Sequence, residues 1–220
     1  MRQGYVAKKR NTGSRKRRRI VLLAVEGNNK TETNYFRGFD NKDTKIIFAS
    51  GNDTDPINMA KSLVEDYKFN DLDSELGDAA FCVVDGDVSK TREKQVLEAD
   101  RIVKKIGSVI VSNPCIEVWF LCHFTSSSKQ FQSSKEAVNR LKEHIPGYEK
   151  NMGGIYDLLE EKQKDAIKNA KALDQMNEAV GRKLHHYDYQ PSTEIYKILC
   201  MLPLIEVLKT FCKKVFTLYS

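Results

Sequence analysis

The segment Ile20–Val25 constrains the fold of this chain more than any other part of the sequence. It is six residues long, wholly apolar and rich in β-branched side chains, which is typical of a strand that is buried on both faces. Such strands belong to parallel sheets, and successive parallel strands need a crossover helix between them. The segment therefore predicts an α/β fold in which the following residues alternate between helix and strand.

This alternation continues as far as Pro114. The clearest helix begins after Asp55, because aspartate is a favourable N-cap and Pro56 suits the first helical position. Further strands are predicted at Lys45–Ala49, Ala79–Val84 and Ser108–Ser112. The predicted helices between strands are Thr31–Phe39, a helix from Pro56, and Ser89–Ile106.

Beyond Pro114 the pattern becomes helical. Ile116–Phe124 is densely apolar and predicts a buried helix, and residues 134–145, 155–180 and 193–209 have helical spacing. Ser192 or Thr193 would cap the last of these helices. We therefore predict an α/β sheet flanked by helices over residues 20–124, with a helical extension over residues 125–220.

The charge of the chain is divided unevenly. Residues 1–19 contain nine basic side chains and no acidic one. Without these nine, the 36 basic residues fall to 27 against 30 acidic ones, so residues 20–220 carry a net charge of −3. Because residues 1–19 have few apolar groups, we predict a disordered cationic arm that binds phosphates by counterion release. The basic residues of the arm nearest the body are Arg15, Lys16, Arg17, Arg18 and Arg19.

The apolar segments and the cysteines favour a cytoplasmic protein that does not cross a membrane. No apolar run approaches the roughly 20 residues that a membrane span needs. The five cysteines include no C-x-x-C pair, which favours a reducing compartment. Cys115, Cys122 and His123 match no zinc spacing, so we expect buried thiols. For His123 a core position is favoured over a position beside the acids described next.

Acidic residues follow two of the predicted strands. Glu26 comes directly after the first strand, and Asp85 and Asp87 flank Gly86 at the end of the third. Ligands of open parallel sheets bind beyond the carboxyl ends of the strands, so these acids can converge. Three carboxylates suit Mg²⁺ or Mn²⁺. The alternative is that the Asp-Gly-Asp stretch is simply a turn.

A phosphate site is predicted beside these acids. The loop from Gly27 to Thr31 leads into a helix N-terminus, where backbone N–H groups favour anions. Lys30 would add a positive charge there. The alternative to this phosphate-binding role is that Lys30 is an ordinary exposed loop lysine.

At these residues the sequence resembles the Toprim domain, and specifically the RloB-like family. The likeness runs from about residue 19 to residue 200 and depends on the order and spacing of several short motifs. The motifs near the acids are Val25-Glu26-Gly27, Thr31-Glu32, Asn34-Tyr35-Phe36 and Val83-Val84-Asp85-Gly86-Asp87. The later motifs are Ser112–Phe120, His123-Phe124 and Pro191–Lys197.

The resemblance implies a Toprim-like fold and a metal-dependent nuclease of prokaryotic phage defence. Glu26 would be a general acid/base or metal ligand, and Asp85 and Asp87 would hold Mg²⁺ or Mn²⁺. By similarity to Toprim nucleases with two metals, Glu117 would help to hold a second ion. The implied partners are DNA or RNA, and defence-system proteins or further copies of the chain. Gly27, Thr31 and Glu32 are further candidates within the first motifs.

Two other functions remain open from the sequence. A haloacid-dehalogenase-like phosphatase would use Asp85 as its nucleophile, because Val83–Val88 fits the nucleophile strand. That strand usually opens such a domain, however, and here it is the third. The other alternative is a non-catalytic component that binds nucleic acid or protein and whose acids are only structural.

Overall fold

A computed structural model describes residues 17–26 and 30–202 of the 220-residue chain. Its centre is a five-stranded sheet with the strand order β2-β1-β3-β4-β5. The first four strands are parallel, and β5 pairs antiparallel with β4. The strands are β1 (Arg19–Ala24), β2 (Thr44–Phe48), β3 (Ala79–Asp85), β4 (Gly107–Asn113) and β5 (Ser192–Thr193).

Helices connect the strands and complete the C-terminal part. The Asp55 carboxylate accepts hydrogen bonds from the Ile57 and Asn58 backbone N–H groups, which confirms the predicted N-cap before Pro56. In the described part of the chain, no helix is long and apolar enough to cross a membrane. The helices are α1 (Lys30–Arg37), α2 (Pro56–Phe69), α3 (Lys90–Val103), α4 (Glu117–Cys122), α5 (Ser134–Lys142), α6 (Ile155–Leu159), α7 (Gln163–Ala179) and α8 (Ile195–Met201).

The sheet separates two apolar layers. On one face Leu22 and its neighbours pack against α2 and α3. On the other face Leu23 packs in a larger layer with the side chains of α1 and α4 to α8, including the fully buried Trp119. Because successive residues of a strand point to opposite faces, an apolar pair such as Leu22-Leu23 requires cover on both faces. The predicted α/β class, with a Rossmann-like parallel sheet flanked by helices, is confirmed.

The fifth strand is the main departure from the sequence prediction. Ser192 and Thr193 do not cap a helix; they pair with Asn113 and Ser112 at the edge of the sheet. The Ser112 and Thr193 hydroxyls lie 2.8 Å apart, and α8 begins only at Ile195. The C-terminal part is therefore joined to the sheet as well as packed on it. A two-residue strand is too short to show a period of two in the sequence.

The predicted helix over residues 155–180 is divided. The structure has α6, then a 3₁₀ turn over Glu160–Lys162, then α7. Apolar residues at helical spacing do not distinguish a tightened turn from a continuous helix. The prediction for residues 203–209 lies outside the described residues.

The last three residues of the predicted arm are attached to the body. The Arg17 guanidinium donates to both Asp78 carboxylate oxygens at 2.9 and 2.7 Å. Arg18 pairs with Asp40, and Arg19 opens β1. A disordered arm over residues 1–19 is therefore wrong for these three arginines. They lie at the amino end of β1, the opposite edge from the strand ends that carry acids. Arg15, Lys16 and the rest of the arm lie outside the described residues.

Candidate functional site

Four carboxyl groups gather at the carboxyl edge of the sheet, where β1, β3 and β4 end. Glu26 follows β1 by two residues, and Asp85 is the last residue of β3. Glu117 opens α4 shortly after β4, and Glu32 comes from the first turn of α1. Asp85, Glu117 and Glu32 are buried. We call these four residues the acid cluster.

Burial and neighbouring negative charges raise the pKa of three members of the acid cluster. Burial raises the pKa of Glu32 to about 8, and the charges of Glu117 and Glu26 act in the same direction. Burial likewise raises the pKa of Asp85 well above its usual range, with repulsion from Glu32, Glu26 and Glu117 added. Burial also raises the pKa of Glu26. Buried like charges without sufficient counter-charge hold protons or attract a cation.

The two aspartates of the Asp-Gly-Asp stretch have different environments. Asp85 is buried, and its Oδ1 accepts the Ile116 backbone N–H at 2.9 Å. Asp87 is half exposed and lies 3.6 Å from the Arg92 Nε. The Ser134 hydroxyl lies 3.4 Å from the Asp87 Oδ1. Asp85 therefore belongs to the interior of the site, and Asp87 to its rim.

The turn at Gly86 is held tightly against the end of β4. The Val88 N–H donates to the Asn113 Oδ1 at 3.2 Å, and a Cβ at Gly86 would lie 2.7 Å from the Asn113 Cγ. Asp87 and Val88 both have positive φ, at 52° and 51°. Left-handed backbone is costly for a β-branched residue such as Val88. The close packing explains why glycine stands between the aspartates.

Arg92 is a site residue that the sequence analysis missed. It lies in the first turn of α3, and its guanidinium hydrogen-bonds the Glu26 carboxylate. The same group donates to the Asp85 carbonyl oxygen at 2.9 Å and the Thr54 carbonyl oxygen at 2.6 Å. It therefore neutralises Glu26 and borders Asp87. A positively charged side chain in the first turn of a helix interacts unfavourably with the helix dipole. This unfavourable position was the feature of the sequence that could have indicated a role for Arg92.

The loop between α5 and α6 contributes two more residues that the sequence analysis missed. The Tyr148 hydroxyl donates to the Glu117 Oε1 at 2.8 Å. Burial acts to lower the pKa of Lys150, but the charges of Glu117 and Asp85 outweigh it, so this pKa is raised. No local pattern marks either residue, because the loop reaches the acid cluster only through the tertiary fold.

The same loop changes the predicted phosphate site. The Lys30 N–H donates to the Asn151 Oδ1 at 2.7 Å, and the Asn151 N–H donates to the Thr31 Oγ1 at 2.9 Å. The backbone N–H at the N-terminus of α1, which the sequence analysis assigned to a phosphate, is therefore hydrogen-bonded to Asn151. The Lys30 residue is exposed. Gly27 lies outside the described residues.

His123 is a core residue. It is buried, its Nδ1 lies 3.0 Å from the Trp119 carbonyl oxygen, and its ring meets the Trp119 ring edge-on. Burial lowers the pKa of His123 to about 4, so the ring is neutral at pH 7. Cys115 and Cys122 are buried free thiols, as predicted.

The acid cluster has the chemistry that a divalent cation needs, but its side chains are not arranged as a metal site. The acid cluster supplies oxygen donors of the kind that Mg²⁺ and Mn²⁺ prefer, and the buried Glu117 Oε2 has no hydrogen-bond partner among the described residues. However, no three His, Cys, Asp or Glu side chains within residues 17–26 and 30–202 form a group that could hold a metal. Glu26 instead faces Arg92. The donor types suit a hard cation, and the present arrangement keeps them apart.

The fold and site define a class of protein: a Rossmann-like α/β protein with buried acids at the carboxyl edge of its parallel sheet. The model of the family described as RloB-like protein matches residues 21–202. The chain therefore belongs to the RloB-like family, which confirms the resemblance. No curated protein and no solved structure matches the chain.

Proposed function

We propose that this protein is a Mg²⁺- or Mn²⁺-dependent nuclease that hydrolyses phosphodiester bonds of DNA or RNA. The observation that carries the proposal is the acid cluster, whose carboxyls come from the ends of β1 and β3, from α4 and from α1. Those of β3, α4 and α1 are buried, and that of β1 is half-buried. Buried like charges are unfavourable unless a cation or protons compensate them. An arrangement that costs stability and lies where α/β proteins bind ligands favours a catalytic role.

The proposed roles follow from position. Asp85, Asp87, Glu26 and Glu117 would hold the cation. When bound, a divalent cation neutralises charge on a phosphate and lowers the pKa of a water. Glu26 is half-buried, and burial raises its pKa, which makes it the candidate general acid/base.

The remaining contacts orient these groups. The Ile116 N–H holds the Asp85 carboxylate, and the Tyr148 hydroxyl holds the Glu117 carboxylate. Arg92 bonds Glu26. These contacts fix the Asp85 and Glu117 carboxylates, whereas Glu26 would have to leave Arg92 to join them around one cation.

The test is cleavage of single-stranded and duplex DNA, RNA and tRNA with Mg²⁺ or Mn²⁺. Asp85→Asn and Glu26→Gln should each lower the rate about a hundredfold or more. Asp43→Asn, an exposed residue near the amino end of β1, is the matched control and should cleave as the wild type does. Circular dichroism must show that all variants fold. Equal cleavage by all four proteins would refute the assignment.

One observation favours a second candidate, a non-catalytic nucleic-acid- or protein-binding component. Arg92 already pairs with Glu26 and borders Asp87, and an arginine in that position can make acids purely structural. Under this alternative, nucleic-acid binding is unchanged by EDTA and no product forms with any substrate. The phosphatase alternative is disfavoured, because its nucleophile strand usually opens the domain and Asp85 ends β3, the third strand in chain order.

The proposed nuclease would act in prokaryotic phage defence, as the family resemblance implies, and in the cytoplasm, as the cysteine pattern favours. Its partners there would be nucleic acid and either defence-system proteins or further copies of the chain. Co-purification of the tagged protein from phage-infected and uninfected cells tests this. Recovery of the monomer alone, without nucleic acid in either state, would contradict the proposed partners.

A further inference from the structure

An open groove of about 470 Å³ lies beside the acid cluster. Three of its six lining residues are lysines, and one is acidic. We call it the lysine groove. Its lining residues are Ser134, Lys135, Val138, Lys142, Glu149 and Lys150.

Helix α5 supplies most of this surface. Lys135, Val138 and Lys142 are spaced by three and four residues, so they share one face of the helix. Two helical turns separate the two lysines, a distance of about 10 Å along the axis. Lys150, from the loop after α5, supplies the third charge. All three lysines are exposed and available to an anion.

The groove and the acid cluster are continuous. Ser134 lines the groove, and its hydroxyl lies 3.4 Å from the Asp87 Oδ1. The Ser134 carbonyl oxygen lies 3.8 Å from the Cys115 Sγ, two residues before Glu117. Lys150 also lines the groove, and the negative charges of Glu117 and Asp85 act to raise its pKa. A ligand in the groove therefore reaches the carboxyl edge of the sheet.

We propose that the lysine groove binds consecutive phosphates of a nucleic-acid strand beside the bond that the acid cluster would cleave. This inference rests on the proposed function for the identity of the strand. Because Lys135 and Lys142 are about 10 Å apart along the axis of one helix, they can contact separate phosphates at the same time, so the groove suits an extended polyanion. A nucleic-acid backbone carries regularly spaced charges of this kind.

Two of the predicted phosphate contacts of the arm lie away from the acid cluster. Arg17 bonds Asp78 and Arg18 bonds Asp40, at the amino edge of the sheet. A strand that reaches the acid cluster would lie a full strand length away from these arginines. The exposed lysines of the groove lie instead on the side of Asp87, whose carboxylate is contacted by the groove residue Ser134.

The test compares two triple variants of the full chain that lose the same charge. The groove variant is Lys135→Gln/Lys142→Gln/Lys150→Gln. The control is Lys68→Gln/Lys104→Gln/Lys105→Gln, because these exposed lysines lie at the amino edge, at the ends of α2 and α3. Fluorescence anisotropy measures binding of labelled single-stranded and duplex oligonucleotides in EDTA over a series of KCl concentrations.

The expected result follows from counterion release. Loss of three phosphate contacts should flatten the slope of log K against log[KCl] by about 2 for a single strand and about 3 for a duplex. At 0.1 M KCl the groove variant should bind a single strand about a hundredfold more weakly. The control variant should keep the wild-type slope.

The outcomes separate the groove from the nuclease. If the groove variant keeps the wild-type slope, or the wild type does not bind, the groove inference is overturned. If the groove variant loses binding but the wild type does not cleave with Mn²⁺, the groove stands and the proposed nuclease falls. Competition by polyglutamate at equal charge concentration would overturn the nucleic-acid assignment in favour of an acidic protein partner.

Discussion

Glu32 offers the sharpest test of the electrostatics of the acid cluster. It is buried beside Glu117, Glu26 and Asp85, and its pKa is raised to about 8 from an ordinary value of 4.5. The perturbation is Glu32→Gln, which keeps the shape of the side chain and removes its charge. The matched control is Glu65→Gln on the exposed side of α2.

The magnitude follows from proton linkage. Between about pH 4.5 and pH 8 the folded protein keeps a proton on Glu32 that the unfolded chain has released. The folded state thus binds more protons, so the free energy of unfolding falls by about 1.4 kcal/mol for each pH unit of increase. Between pH 5.5 and pH 7.5 the loss is about 3 kcal/mol. Glutamine does not ionise. Between pH 5.5 and pH 7.5 the free energy of unfolding should therefore fall by about 3 kcal/mol less in the variant than in the wild type.

The assay is urea denaturation at pH 5.5, 6.5 and 7.5 in EDTA, for the wild type and both variants. The Glu65→Gln curve should run parallel to that of the wild type. Added Mn²⁺ should raise the stability of the wild type most at pH 7.5, because a cation competes with protons for carboxylates. If the Glu32→Gln and wild-type curves are parallel over this range, the pKa of Glu32 is not raised by burial and by the neighbouring carboxylates as argued.

Three further perturbations test the surroundings of the site. Arg92→Gln leaves Glu26 without its cation, so it should lower stability in EDTA by about 2 kcal/mol. It should also enlarge the rise in Tm that Mn²⁺ causes, and a rise equal to that of the wild type would contradict this reasoning. Gly86→Ala places a Cβ within 2.7 Å of the Asn113 Cγ and should cost about 2 kcal/mol in urea denaturation, whereas wild-type stability would refute the close packing. Burial lowers the pKa of His185, but its hydrogen bond to Glu194 outweighs this and raises it, so the stabilisation is complete below about pH 6.5 and is lost as pH rises through the raised pKa. His185→Gln should therefore destabilise the protein more at pH 6 than at pH 8, and a pH-independent loss would exclude the charged pair.

Much of the fold and the centre of the site could be predicted because the signals are local. The apolar segment before Glu26 and the one before Asp85 each specify a buried strand, and each acid stands where its strand ends. Since parallel strands present their carboxyl ends at the same edge, the two acids had to lie near each other. The Asp55 N-cap was equally readable, because a cap and its helix are adjacent in sequence.

The misses have a common physical cause. Ser192-Thr193 becomes a strand only because β4 offers a free edge about 80 residues earlier. Arg92 and Lys150 likewise gain their partners from distant elements, and nothing beside them in the chain marks those partners. Arg17 looks like part of a basic arm until Asp78 is found beside it.

Local sequence by itself determined the alternation of buried strands and helices, and with it the edge at which Glu26 and Asp85 stand. Backbone periodicity and burial act over a few residues, so they are legible in the chain. Only the tertiary structure decided that Glu32 joins these acids, that Arg92 compensates one of them, and that three lysines form a groove beside them. Charge acts through space rather than along the chain, so its balance exists only after distant segments have packed together.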